Sequence, residues 1–262
     1  MTRPTRCARG WLVLGVLAMV GCAATTNEAP NATLPLERYS LMGAIKNGYL
    51  NGTVDVGTVR KHGSFGLGGF ESFSGEMVML DGVVYRVPVD GVPVVARDAD
   101  QLTYAELTQF RPTVKTVETA LDKKALLQKL TVKLANPNQF YSIKITGTFS
   151  KLKYRTLVEQ APPYSRPICA KQIDRTFEAA HVQGTIVGFL SPSFVKGGID
   201  YPGSHLHVLS ADRRLGGHIY DFEVASATVE IASHDVFITH LPVVPSFGAL
   251  VMDETLICPE QN

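Results

Sequence analysis

Alternation of apolar and polar residues predicts β-strands along most of this chain. The clearest case is residues 141–149, YSIKITGTF, where apolar side chains recur at every second position. Two β-rich runs flank Asp81-Gly82, and Asp-Gly between apolar runs predicts a hairpin over residues 76–87. Further extended segments are predicted at residues 92–96, 105–110, 113–117, 151–158, 182–190, 206–210, 218–224 and 227–231.

Helical spacing is clearest in residues 121–134, LDKKALLQKLTVKL, where leucines recur on one face and lysines lie on the other. Asn136-Pro137-Asn138 ends this helix. A short helix or turn leading to a strand is predicted in residues 41–54, and the glycine-rich residues 62–70 predict a loop or a bulged strand.

The order of these elements indicates a fold class. There is no regular alternation of strands and helices, and no G-x-G-x-x-G motif opens a helix, which argues against a doubly wound nucleotide-binding fold. We therefore expect a β-rich α+β protein, with mixed or antiparallel sheets in two closely associated β-rich halves and few helices.

The N-terminal 22 residues have the three regions of an export signal. Three arginines in the first nine residues precede an apolar run at residues 11–20, which is too short to span a bilayer. Gly21-Cys22 follows, and the whole resembles a bacterial lipoprotein signal. We therefore expect residues 1–22 to be a signal peptide, Cys22 to carry a lipid, and the protein to be a membrane-anchored lipoprotein of the bacterial cell envelope.

An ordinary secretory leader cleaved near Ala23 is the alternative. In either case residues 23–35, which are small, polar and proline-containing, predict a tether. After export, Cys169 and Cys258 remain in the folded part of the chain. They either form a disulfide, as an oxidising compartment permits, or remain two separate thiols.

Composition removes several function classes. The 262 residues carry 25 Lys and Arg against 24 Asp and Glu, a formal net charge of +1, so no nucleic-acid partner is expected. A content of 45% hydrophobic and 19% charged residues is typical of a globular core and not of a disordered chain. Four cysteines are too few for a disulfide scaffold.

Three histidines form the sharpest chemical motif. His205 and His207 are two residues apart, and such residues project from the same face of a strand. His218 follows Gly216-Gly217, and the turn-like residues 212–214 could return it to that face. Three imidazoles with an open position are the usual catalytic zinc arrangement. The alternative is a set of hydrogen-bonding strand residues without a metal.

The surroundings of these histidines resemble the α-acetolactate decarboxylase family. The likeness covers residues 39–242, and its motifs occur in the family's order. Specificity comes from the combination of HLH, GGH and an upstream GEM-x-x-x-DG. The matching stretches are residues 62–68 (HGSFGLG), 75–82 (GEMVMLDG) with Tyr85, 154–156 (YRT), 203–208 (GSHLHV) and 210–222 (SADRRLGGHIYDF).

The resemblance implies a carboxy-lyase that uses Zn²⁺ to convert 2-acetolactate to acetoin and CO₂. In this view zinc chelates the substrate and stabilises an enediolate before enantioselective protonation. The implied zinc ligands are His205, His207 and His218. Glu76 would be a further ligand or an active-site carboxylate, and Arg155 would contact the substrate.

The family also uses a glutamate near the C-terminus, for which the candidates are Glu254 and Glu260. Gly69 stands where the family often has threonine. The catalytic unit would be residues 36–262, either continuous or divided near residue 135 into 36–135 and 136–262, and the family's habit suggests a homodimer.

Two other functions remain open on the residues alone. An exported metal-binding or envelope-interaction lipoprotein could reuse the scaffold without decarboxylase activity. The glycine at position 69 and the lack of a single assignable tail glutamate would favour this. A zinc hydrolase on the same histidines is disfavoured, because the chain lacks H-E-x-x-H and a clear base beside the ligands.

Overall fold

A computed structural model describes residues 34–134, 136–196, 198–253 and 255–256 of the chain. The predicted signal peptide, most of the tether, Cys22, and both tail glutamates, Glu254 and Glu260, lie outside these residues. Cys169 is disulfide-bonded. Cys258, the partner in the disulfide alternative given above, also lies outside the described residues.

Strands account for most of the regular structure in the described residues. In chain order they are β1 (Leu36–Tyr39), β2 (Val54–Asp55), β3 (Phe65–Phe70), β4 (Glu76–Leu80), β5 (Val83–Val87), β6 (Val94–Val95), β7 (Gln101–Thr108), β8 (Val114–Asp122), β9 (Phe140–Leu157), β10 (Asp174–Ser191), β11 (Gly203–Ser210), β12 (Gly216–His234) and β13 (Phe237–His240).

Helices in the described residues are few and mostly short. They are α1 (Met42–Lys46), α2 (Val56–His62), α3 (Lys123–Leu134), α4 (Ala170–Ile173) and α5 (Pro245–Gly248), with single 3-10 turns at Glu71–Phe73 and Ser193–Val195.

None of the helices among the described residues combines the length and the apolar character needed to cross a bilayer.

The described strands form two sheets. The first has the spatial order β13-β1-β7-β3-β4-β5-β6, with β2 also paired to β7, and it is mixed because β1 and β13 run parallel. The second has the order β11-β10-β9-β12-β8 and is antiparallel throughout. Strand β11 also pairs with β12, so β9, β10, β11 and β12 close on themselves.

One hydrophobic core joins the two sheets. Leu67 of β3 and Val78 of β4 belong to the same buried cluster as Val187 and Phe189 of β10 and Leu209 of β11. A second cluster fills the interior of the antiparallel sheet and includes Leu126 and Leu130 of α3. The predicted β-rich α+β class, with two associated sheets and few helices, is therefore confirmed.

The predicted hairpin over residues 76–87 is confirmed as strands β4 and β5. Asp81 and Gly82 form its turn, with φ of 51° and 79°. Positive φ at both central positions is what the right-handed twist of the flanking strands requires, and Asp-Gly adopts it at low cost.

Several predicted boundaries differ from the structure, and one helix was not predicted. Helix α3 begins at Lys123, because Leu121 pairs with Val224 in the sheet and Asp122 Oδ1 accepts a hydrogen bond from the Ala125 amide at 2.7 Å. The segments 141–149 and 151–158 are one strand, β9, because β10 and β12 pair with it on both sides. The pairing of β10 with β9 is interrupted at His181, which has a φ of 55°. The segments predicted at 218–224 and 227–231 are likewise joined in β12. Helix α2, which Asp55 caps at 2.7 Å, has no counterpart among the predicted elements.

Candidate metal centre

The structure brings His205, His207 and His218 together. His205 and His207 lie on one face of β11, and His207 stands directly opposite His218 of β12. Their ring centroids form a nearly equilateral triangle with sides of 5.1, 5.2 and 5.3 Å. One nitrogen from each ring lies within 4.8 Å of the other two, close enough for a single metal ion.

The turn between β11 and β12 explains how the third histidine returns to this face. The Ser210 hydroxyl accepts from the amides of Arg214 and Leu215 at 3.0 and 3.1 Å and donates to Asp212. Gly217 then follows at a φ of 144°, where a Cβ would lie 2.3 Å from the Arg155 carbonyl oxygen. Only glycine fits this close approach, so the second glycine of Gly-Gly-His is a packing requirement of the hairpin.

The ring nitrogens are suited to a metal. His207 Nδ1 lies 2.8 Å from the Met77 carbonyl oxygen, and since a carbonyl can only accept, Nδ1 carries the proton and leaves a lone pair on Nε2. His207 Nε2, His205 Nδ1 and His218 Nδ1 are all buried without a hydrogen-bond partner among the described residues. Three buried nitrogens without partners would be costly unless a ligand such as a metal ion binds to them.

Burial also sets the charge of the histidines. It lowers the pKa of His207 and lowers the pKa of His205 and His218 well below the usual value. The neighbouring Arg155 guanidinium lowers the pKa of each further. All three are therefore neutral at pH 7, which is the form that binds metals.

Glu76 and Arg155 complete the polar part of the site. Glu76 is the first residue of β4, Arg155 stands opposite His218 on β9, and their side chains form a buried ion pair through Arg155 Nη1 and Glu76 Oε1. The other carboxylate oxygen of Glu76 lies 3.8 Å from His207 Nε2. The predicted site residues of the described chain therefore surround one point.

A cavity of about 50 Å³ opens beside this cluster. It is lined by Glu76, Arg155 and His205 on one side and by residues of α1 on another. A space of this size admits a small, compact ligand and a few water molecules.

Two tyrosines of the site were not predicted from the sequence. Tyr104 stacks on His205 with ring centroids 6.2 Å apart, and Tyr201 meets the same ring edge-on at 5.8 Å. Both line the cavity. Tyr104 belongs to a buried strand and Tyr201 to a loop, so neither stands in a sequence pattern that would identify it as a site residue.

The C-terminal segment passes close to the cavity. The Asp253 amide donates to Asn47 Oδ1 at 2.9 Å, and Asn47 Nδ2 lies 3.4 Å from the Asp253 carbonyl oxygen. Asn47 is the C-cap of α1, whose residues Met42 and Ile45 line the cavity.

The remaining histidines lie apart from the centre. His62 and His240, distant in sequence, share Glu37 Oε2 at 3.0 and 2.9 Å. His234 is buried and hydrogen-bonds to Ser142 Oγ at 2.9 Å. These contacts are those of partly exposed residues in an ion pair and of a core residue whose hydrogen bonds are satisfied.

Comparisons with known proteins agree with the site. A family model described as alpha-acetolactate decarboxylase matches residues 36–254. An alpha-acetolactate decarboxylase of Methanosarcina mazei is 34% identical over 81% of this chain and 74% of its own length. One of Bacillus licheniformis is 32% identical over 74% of this chain and 77% of its length. The crystal structure of alpha-acetolactate decarboxylase from Bacillus subtilis strain 168 superposes with a TM-score of 0.81 at 30% identity, covering 84% of this chain and 94% of that one.

Proposed function

The chain belongs to the alpha-acetolactate decarboxylase family, and we propose that it converts 2-acetolactate to acetoin and CO₂ at a zinc ion held by His205, His207 and His218. The observation that carries the metal is the set of three buried imidazole nitrogens without protein partners. Imidazole nitrogen is a preferred zinc ligand, and three histidines leave the fourth position open for a substrate.

When bound, zinc supplies a Lewis acid that stabilises negative charge on a substrate oxygen as the carboxylate is lost. The chain supplies the rest. The Arg155 guanidinium presents a fixed positive charge to the substrate carboxylate, or to the enediolate that forms when CO₂ leaves. Glu76 fixes the orientation of that guanidinium, and the rings of Tyr104 and Tyr201 close the cavity around His205.

A proton must then reach one face of the enediolate. We propose Glu254, in preference to Glu260, as its donor. Support comes from the residue before it: Asp253 is hydrogen-bonded to Asn47 at the end of α1, and α1 lines the cavity. Glu260 lies six residues further along the chain. A positioned general acid contributes about 10²–10⁴ in rate.

The test is an acetoin assay with 2-acetolactate, run on the wild type and on His205→Ala, with zinc measured in each preparation. We expect acetoin formation and about one zinc per chain for the wild type, and loss of both in the variant. His62→Ala, which removes a partly exposed histidine of a separate cluster, is the matched control and should keep both. Full activity and metal content in His205→Ala would refute the proposal.

A wild-type protein that binds zinc and makes no acetoin would favour the alternative, a metal-binding or envelope-interaction lipoprotein on the same scaffold. Gly69 is the one residue of the cavity that points in this direction, because the family often has threonine there.

We also propose that the protein is exported and anchored to the membrane of the bacterial cell envelope by a lipid on Cys22. The arginines, the apolar run at residues 11–20 and Gly21-Cys22 support this. Radiolabelled palmitate should mark the wild type and not Cys22→Ser, and the variant should leave the membrane fraction. The homodimer stays a prediction, which light scattering on the purified protein tests.

A further inference from the structure

A fully buried charge cluster lies close to the metal centre and has no part in the reaction as proposed. Arg38 of β1 is 0% exposed, and its Nη2 lies 3.0 Å from Glu106 Oε2 and 2.6 Å from Asp200 Oδ2. Its Nη1 donates to the Ile199 carbonyl oxygen at 2.5 Å. The guanidinium thus connects β1, β7 and the loop that precedes β11.

Each carboxylate of this cluster also holds one of the tyrosines that contact His205. The Tyr104 hydroxyl donates to Glu106 Oε2 at 3.0 Å, and the Tyr104 ring stacks on His205 with an interplanar angle of 20°. The Tyr201 amide donates to Asp200 Oδ1 at 2.6 Å, and the Tyr201 ring meets His205 at 78°. One arginine is therefore connected to both tyrosines that pack against one metal ligand, through the hydroxyl of Tyr104 and the backbone amide of Tyr201.

Stability alone does not explain the cluster. Replacing a buried ion cluster by apolar residues of similar volume is often neutral or stabilising, because desolvation offsets the attraction between the charges. Burial and the Asp200 carboxylate raise the pKa of Glu106 to about 8, which reflects this cost. What the cluster does provide is a fixed geometry, since one guanidinium nitrogen of Arg38 lies within ion-pair distance of both carboxylates at once.

We propose that Arg38, Glu106 and Asp200 are positioning residues for the metal centre, which hold Tyr104 and Tyr201 against His205 and so set the orientation of its ring. The inference rests on the proposed function to the extent that His205 must be a metal ligand. Groups that orient metal ligands from outside typically change metal affinity or activity by about 10–100-fold when they are removed.

The test compares zinc affinity with thermal stability. Glu106→Leu keeps the approximate volume of the side chain and removes the oxygen that Arg38 and Tyr104 contact, and Asp200→Asn replaces one carboxylate oxygen by an NH₂ group, which cannot accept a hydrogen bond. The control is Ile231→Val, a core change in β12 that lies 13 residues beyond His218. Zinc dissociation constants are measured by competition with a chromophoric chelator, and melting temperatures on metal-free protein.

We expect both charge variants to raise the zinc dissociation constant by about 10-fold or more, and Ile231→Val to lower the melting temperature with its zinc affinity unchanged. Charge variants that lose stability while their zinc dissociation constants stay within about twofold of the wild type would overturn the inference. If they do not fold, Tyr104→Phe decides by the same criterion, because it removes only the hydroxyl that reaches Glu106.

Failure of this inference is distinguishable from failure of the proposed function. A wild type that binds zinc and makes no acetoin refutes the decarboxylase, while the comparison of zinc affinities still decides the role of the cluster. A wild type that binds no zinc overturns both.

Discussion

Replacing Arg155 by methionine should destabilise the protein through Glu76. Both residues are buried, at 5% and 4% exposure, and each is the other's ion-pair partner. Removing one member of a buried pair leaves the other charge uncompensated, at a cost of about 3–5 kcal/mol. In a domain of this size 1 kcal/mol moves the melting temperature by about 2–4 °C, so Arg155→Met should melt about 6–20 °C below the wild type.

A second change separates stability from activity. Glu76→Gln in the Arg155→Met background removes the buried charge of Glu76 that has lost its ion-pair partner, so the double variant should be more stable than the single one. Activity should not return, because the cation that we propose contacts the substrate is still missing. We expect both proteins to lose about 10²–10³ in kcat/KM, the typical effect of removing one electrostatic stabiliser of a transition state.

Circular dichroism on metal-free protein gives the melting temperatures, and the acetoin assay gives kcat/KM. Arg175→Met is the matched control, because it removes an exposed arginine from β10, the strand next to Arg155. Arg155→Met melting within about 2 °C of the wild type, or a double variant no more stable than the single one, would refute the pairing argument. Wild-type kcat/KM in Arg155→Met would refute its role at the substrate.

Three further outcomes follow from the same structure. A Cβ at Gly69 would lie 3.7 Å from Phe73, an ordinary van der Waals contact, so Gly69→Ala should fold. Its free energy of unfolding, measured with urea, should be about 0.4–1 kcal/mol higher than that of the wild type. The pKa of Glu106 is raised from 4.5 to about 8, so between these pH values the folded state holds a proton that the unfolded state has lost. The free energy of unfolding should therefore fall as the pH rises from 4.5 to 8, and this fall should be smaller in Glu106→Gln. Asn47→Ala removes the hydrogen bonds to Asp253 and should lower kcat/KM about tenfold. This loss of activity should be larger than the accompanying loss of stability would cause.

Local patterns predicted much of the fold. Asp81-Gly82 determines a hairpin by itself, and the alternation in residues 141–149 is visible without any partner strand. The pattern could not show that β9 continues through residues 150–157, because its continuity depends on β10 and β12 pairing on either side. The sequence pattern did not predict helix α2, because the helix is short and buries only a small apolar face.

The site divides in the same way. His205, His207 and His218 lie on one hairpin, so their spacing predicts that they meet. Glu76 and Arg155 come from distant strands, and only the family resemblance placed them with the histidines. Residues such as Arg38 and Tyr104 had no signal at all, because a buried charge cluster is defined by contacts between segments far apart in the chain.

The most direct measurement is a zinc titration of the metal-free enzyme with acetoin formation as the readout. We expect no activity without metal, a linear rise on adding zinc, and a plateau at about one zinc per chain, with His207→Ala inactive throughout. Full activity in the metal-free protein, or the same titration curve in His207→Ala, would contradict a decarboxylase centre built on the three histidines.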